Sequence, residues 1–294
     1  MPCDDVNDSV QVIAHSGISV VLSNIFGNPL FGIVSQLESD DIIDKNRKRL
    51  LKKWQRVFIY IMGIIGGYGI LTLLDALILH LANLTNNQRF INFASKGGLP
   101  RFSSEVNFDI NMLKWAIPLI IAGVILALLY NSFNLITLKL SEKIKDKRIL
   151  SCVIAGVCVA IAGWLLPNSI FSGEHQLGDL INNWENEVAL ILLLTALCKI
   201  LLTNICVNFG WRGGTIFPIM FSAASAGYAL ALFIGIDGAF AAALVISAMY
   251  GYISRKPLAT AAILLLCFPI IYVIPILATS FIVSKIPTPF KECN

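Results

Sequence analysis

The sequence predicts an all-α, polytopic membrane protein, and three observations carry that expectation. Of its 294 residues 56% are hydrophobic and 14% charged, whereas a soluble domain carries about 25% charged residues. With a mean hydropathy of +0.76, the chain cannot cover its own surface in water. Long stretches lack Asp, Glu, Lys and Arg altogether, and within them apolar residues are continuous rather than alternating, which points to helices and not barrel strands. Disordered and fibrous classes are thereby excluded. A net charge of +4 is too small and too local for a basic nucleic-acid-binding face.

A spanning helix needs about 20 apolar residues to cross roughly 30 Å of hydrocarbon. Eight runs qualify as candidates: 9–37, 57–74, 115–138, 149–173, 188–211, 213–236, 238–254 and 257–284, with Lys199 the one charge inside any of them. The opening Met-Pro-Cys-Asp-Asp-Val-Asn-Asp is acidic and lacks the basic start of a signal peptide, so no cleaved leader is expected. Four runs are broken at Gly27-Asn28-Pro29, Pro167-Asn168, Gly213-Gly214 with Pro218, and Pro257. Backbone exposed at such breaks survives at membrane depth only inside protein or against a watery cavity. Together they predict half-helices.

Orientation follows from the basic loops. Lys45, Arg47, Lys48, Arg49, Lys52, Lys53 and Arg56 crowd one connection, and Lys139, Lys143, Lys145, Lys147 and Arg148 another. Both should be cytoplasmic, with two crossings between them. The stretch 167–187 has Glu174, Asp179, Glu185 and Glu187 but no Lys or Arg, so it should face outward. Three parts are expected: 1–55, ending in the first basic loop; 56–148, a membrane hairpin with the second; and 149–294. Trp54, Tyr60, Trp115, Tyr130, Trp164 and Trp184 fall mostly near run ends, as interfacial belts do.

An internal echo suggests two related halves. Asn28-Pro29-Leu30-Phe31-Gly32 and Lys256-Pro257-Leu258-Ala259-Thr260 share a Pro-Leu helix start, with Pro suited to the first helical position. Pro218 precedes Pro257 by 39 residues. The equivalent of Pro218 in the first half would therefore fall before Met1, outside this chain.

Gly213-Gly214-Thr215-Ile216-Phe217-Pro218 introduces a long apolar helix. The glycines allow close approach of a ligand or positive φ, and a helix start leaves N–H groups without intrahelical partners. Those donors, with the helix dipole behind them, suit a small anion. Amides hold it without the tight pairing of a nearby Lys or Arg, and weak desolvated coordination permits throughput. A plain glycine turn between two helices is the competing reading.

On these blocks the chain resembles the C-terminal part of the CLC family of chloride channels and anion/proton antiporters. Leu22 to Ile33 looks like the family's small-residue helix and N-x-P-L-x-G break at its dimer-facing region. Gly213 to Pro218 looks like its G-x-F-x-P signature, and Arg255-Lys256-Pro257-Leu258 like the R-x-P-L break of its second half. The resemblance implies a bundle of tilted and broken helices with the first part of the first inverted repeat missing. It also implies a multi-pass protein of the cell membrane, homodimeric, that passes chloride or a similar anion as a voltage-gated channel or an antiporter. The alternative is a truncated, transport-inactive subunit. Backbone amides of Gly214, Thr215, Ile216 and Phe217 are the implied anion ligands, with Gly214 as the approach residue and Phe217 as a wall.

This chain departs from the family in several places. Ile216 occupies the signature's Phe position and Phe217 stands one place on, which backbone coordination tolerates. The family's proton-pathway glutamate falls at Ser39, just after Glu38, and its pore tyrosine falls near Pro289-Phe290-Lys291, where there is no hydroxyl. Lys199 and Phe290 are the further candidates for the pathway, Lys199 because a charge within a span is costly and by default functional. No cofactor and no metal site are expected, since His15, His80 and His175 lie far apart and the seven cysteines are scattered as small core residues. Catalysis has no candidate nucleophile or metal motif.

Overall fold

A computed structural model describes residues 2–43, 51–85, 101–102, 110–144, 146–170, 172–211 and 213–289. Over these the chain forms two units, divided after Leu99. The first holds α1 (Pro2–Phe26), α2 (Pro29–Ile43) and α3 (Lys53–Thr85). The second holds α4 (Ala116–Glu142), α5 (Arg148–Leu165), α6 (Glu174–Asn183), α7 (Ala189–Asn208), α8 (Ile216–Ile234), α9 (Gly238–Ser254), α10 (Pro257–Cys267) and α11 (Val273–Ser284). Short 3-10 turns link several of them. The all-α expectation holds.

In the first unit the break at Gly27-Asn28-Pro29 is a complete local device. Gly27 takes a left-handed φ of 62°, and the Asn28 amide donates back to the Ser23 carbonyl at 2.9 Å, closing the end of α1. The Asn28 side chain then accepts from the Phe31 amide at 3.2 Å, which caps α2. Phe26 and Phe31 meet edge to face across the corner, 5.0 Å apart. Small residues let the helices close up: a Cβ at Gly32 would run into the Ser23 hydroxyl, and one at Gly63 would come within 2.5 Å of the Ser16 hydroxyl.

The second unit is built around α9, which is buried from Gly238 to Tyr252 and is packed by α4, α8, α10 and α11. Its neighbour α8 is buried without interruption from Pro218 to Ala229. Such burial needs close backbones, and glycine provides them. A Cβ at Gly227 would lie 2.7 Å from the Ala242 Cα, and one at Gly123 of α4 would lie 2.8 Å from the Val245 carbonyl oxygen. Three residues, Gly235 to Asp237, join α8 to α9. Gly235 sits at φ 74° and closes α8, while Asp237 caps α9 by accepting from the Phe240 amide at 2.7 Å and from the Tyr272 hydroxyl at 3.0 Å. α10 starts at Pro257, as the Pro-Leu echo predicts.

Five helical stretches are long and apolar enough to cross a bilayer: Lys53–His80, Asn111–Glu142, Arg148–Leu165, Ala189–Asn208 and Ile216–Ile234. Run 9–37 and run 257–284 each divide into two shorter helices. Some side chains depart from the sequence expectations. Arg56, assigned to a solvated basic loop, is buried at 1% exposure in the first turn of α3, and Tyr60, assigned to an interfacial belt, is wholly buried. Trp54 and Trp164 are exposed, as belt residues are. Of the cysteines expected in the core, Cys267 is buried while Cys152 is exposed.

The α8/α9 contact supplies a direct test. Gly227→Val places a branched side chain against the Ala242 backbone and should cost about 1–3 kcal/mol, the usual penalty of overpacking. The check is a lower unfolding midpoint for the purified protein in detergent, with Gly66→Val, where a Cβ meets nothing within 4 Å, as the tolerated comparison.

Candidate functional site

The loop that delivers the chain to α8 is shaped by the end of α7. Gly210, at φ 101°, lets the chain turn, and the Trp211 amide donates back to the Cys206 carbonyl at 2.9 Å. The Trp211 indole N–H anchors the turn by donating to the Cys152 carbonyl at 3.2 Å. Left-handed backbone therefore falls at Gly210 and not at the glycine pair: neither Gly213 nor Gly214 is among the positive-φ residues. What the pair supplies is space, since a Cβ at either would meet nothing within 4 Å. Both are exposed, and Thr215, Ile216 and Phe217 are half-buried.

α8 begins at Ile216 with Thr215 as its N-cap, and Thr215 makes no side-chain capping bond. The helix's own ladder opens with the Ile219 amide donating to the Thr215 carbonyl at 3.1 Å. Pro218 carries no N–H. Among the described residues no hydrogen-bond partner stands at the amides of Gly214, Thr215 or Ile216. They are grouped at the positive end of a 19-residue helix dipole. The chemistry this arrangement offers is coordination of a small acceptor by backbone donors, with no covalent or redox step.

A polar seam leads to this end between α4 and α7. Asn208 donates to the Asn134 side chain at 2.9 Å and to the Thr137 hydroxyl at 2.7 Å. Asn204 donates to the Tyr130 carbonyl at 3.3 Å and to the Ile200 carbonyl at 2.9 Å. The Tyr130 phenol lies close to the Thr215 side chain. Sequence reading placed Tyr130 in an interfacial belt and missed this contact. The signal available in the sequence is the row of Tyr130, Asn134, Thr137 and Ser141, three to four residues apart on one face of a helix whose first half, from Ala116 to Leu129, carries no polar side chain. Beside the seam lies a cavity of about 540 Å³ lined by Ser141, Arg148, Ser151, Asn208 and Gly210 among others.

Lys199, the intramembrane charge, is 1% exposed in the middle of α7. Its ammonium donates to the Ile170 carbonyl at 2.7 Å and sits 5.0 Å from the ring centroid of Phe221 on α8. Gly173, at φ 89°, brings the turn after Pro167 so close that a Cβ there would lie 2.9 Å from the Phe221 Cβ. Phe221 stands five residues into α8 from Ile216, about 7.5 Å along the axis at 1.5 Å per residue. The buried Lys199 of α7 thus lies against α8, the helix that the amide cluster opens. Phe290 lies outside the described residues. In the first unit the Ser39 hydroxyl donates to the Ser35 carbonyl at 2.7 Å.

The family profile described as voltage gated chloride channel matches residues 6–287. No curated protein matches the chain. Among solved structures, one titled as the crystal structure of a CLC-type fluoride/proton antiporter superposes with a TM-score of 0.63 at 14% sequence identity, over 92% of this chain and 62% of that one. This chain therefore spans about three fifths of that structure's length, and at this identity the likeness is one of fold.

The seam makes a testable demand. Asn208→Leu leaves the Asn134 and Thr137 acceptors without their shared donor and should cost about 1–2 kcal/mol, as interhelical polar contacts in membranes do. The check is chemical denaturation in mixed micelles, with exposed Val207→Leu as the neutral comparison.

Proposed function

The chain belongs to the voltage gated chloride channel family, matched over residues 6–287, and from that premise we propose that it carries small inorganic anions through a cell membrane as a multi-pass homodimer, each subunit with its own path. Chloride is the proposed ion, and fluoride is the second candidate because the structural neighbour's title names it. The observation that carries the reading is the start of α8, where Thr215 makes no capping bond, the amides of Gly214, Thr215 and Ile216 have no hydrogen-bond partner among the described residues, and the glycines leave room. Phe217 walls the site through its ring, and its amide belongs to the same first turn. Binding by amides and dipole alone is strong enough to draw an anion in and weak enough to release it.

Lys199 supports the same reading from within α7. The Lys199 ammonium is buried, and a buried charge acts over several ångströms in a low-dielectric interior. That potential favours an anion at the nearby helix start without a direct ion pair. Transport is proposed to be passive. Ser39 stands where the family resemblance puts a proton-carrying glutamate, and its hydroxyl is engaged with Ser35.

Two outcomes test this. Ile216→Pro deletes one amide at the first helical position, where proline fits a helix. Loss of one hydrogen bond to a charged ligand should weaken chloride binding about tenfold or more, with flux into liposomes falling in parallel and no proton movement under an imposed pH gradient. Chloride flux that survives this substitution unchanged rejects the site. Lys199→Met should preserve the fold and lower chloride affinity severalfold, an effect that persists at high salt because a buried charge is poorly screened; equal affinity in the two proteins would remove Lys199 from the path.

A further inference from the structure

We propose that the cavity between Arg101, Glu185 and the end of α10 is a site for a zwitterionic phospholipid, with Arg101 for its phosphodiester, Glu185 for its ammonium and an apolar ridge beside the start of α11 for its acyl chains. The site lies away from the amide cluster and does not depend on it: Tyr228, against which one of its walls is stacked, stands twelve residues along α8 from Ile216, about 18 Å at 1.5 Å per residue.

The cavity has a volume of about 1060 Å³, at the top of the range of about 300–1,000 Å³ usual for organic ligands. A halide needs far less. Its walls are fixed by stacked rings. Phe102, 2% exposed, lies on Phe268 with ring centroids 4.0 Å and planes 17° apart, and its amide donates to the Cys267 carbonyl at 2.8 Å. Trp184 is stacked in the same way on the buried Tyr228, at 4.9 Å. Rings braced from behind keep the space open.

The rim carries Arg101, Asn182 and Glu185, all exposed. Among the described residues no ion pair joins Arg101 to Glu185, and neither side chain has another hydrogen-bond partner. Two opposite charges that line one cavity without meeting fit a ligand that carries both signs. An anionic lipid would face Glu185, and a simple cation would face Arg101. An arginine is suited to a phosphodiester, and the rings of Trp184 and Phe268 supply the aromatic faces that favour an ammonium group. Beyond the rim the lining turns apolar: Leu266 and Ile270 belong to it, Ile270 is 87% exposed, and Ile274, one turn further on, is 78% exposed. Charge of both signs beside exposed aliphatic side chains matches an amphipathic ligand, since a water-soluble zwitterion would leave the ridge unused.

The test is native mass spectrometry of the full chain in detergent after equilibration with phosphatidylethanolamine, with phosphatidylglycerol, or with glycerophosphoethanolamine, which has the headgroup and no acyl chains. Wild type should retain phosphatidylethanolamine about fivefold more than phosphatidylglycerol, the effect of one added charge contact, and should retain little glycerophosphoethanolamine. Arg101→Gln should lower retention of both lipids about fivefold, because both carry the phosphodiester. Glu185→Gln should abolish the preference by weakening phosphatidylethanolamine alone. A general loss of fold would lower both lipids together in Glu185→Gln and so overturns the assignment of that residue. Equal retention of the two lipids by wild type, which needs no variant, overturns the proposal, as does a preference that survives Glu185→Gln. Glycerophosphoethanolamine bound as well as the lipid would make the ligand a soluble zwitterion and also overturn it. A chain that retains phosphatidylethanolamine in this pattern yet passes no chloride keeps this site and removes the anion reading alone.

Discussion

A peptide N–H buried in a membrane protein has to find an acceptor, and the second unit is organised around the consequences of that constraint. α8 and α9 are enclosed on every side, so their ends cannot all be satisfied by water. Some are closed locally. Gly235 and Asp237 finish one helix and begin the next; Gly210 and the Trp211 amide finish α7. The start of α8 has no side-chain cap, and neither do the starts of α4, α5, α6, α7, α10 and α11. What marks it is the combination of a proline as its third residue and a pair of glycines ahead of it that leave room, and the functional reading turns on that combination.

Charge is handled with the same economy. Lys199 donates to a carbonyl and lies over an aromatic face, and Arg255 donates to the last carbonyls of α11, at Ser284 2.9 Å away and at Val283, and to Ile286 just beyond it. The Arg255 guanidinium stacks 4.3 Å from the ring centre of Tyr252. It thus serves as the C-terminal cap that a cation makes with a helix dipole. Arg255 does so from a left-handed backbone, φ 58°, a conformation that a non-glycine residue adopts only when its surroundings demand it.

Much of this architecture was legible in the residues. Asn28-Pro29 and Pro257 announce helix starts because proline's lost donor costs nothing there, and both helices begin where those residues stand. The glycine pair before Ile216 was readable as a helix entrance, but the left-handed turn was not, since its place depends on where α7 runs out, at Asn208, and so falls to Gly210. Arg56 and Tyr60 were misplaced because flank and belt rules describe average exposure, while packing within a particular helix trio decides the individual side chain. That Tyr130 comes close to Thr215 was not legible. Periodicity reports which residues share a face and is silent on what that face meets.

The glycine contact between α8 and α9 has a mechanical consequence. Where the Gly227 backbone rests almost directly on Ala242, no long side chain is there to slide or re-rotamerise between the two helices. The pair behaves as one strut. A rearrangement at the start of α8 would therefore fall to the exposed glycines that precede it, or to α4 and α7, with the strut as the fixed reference.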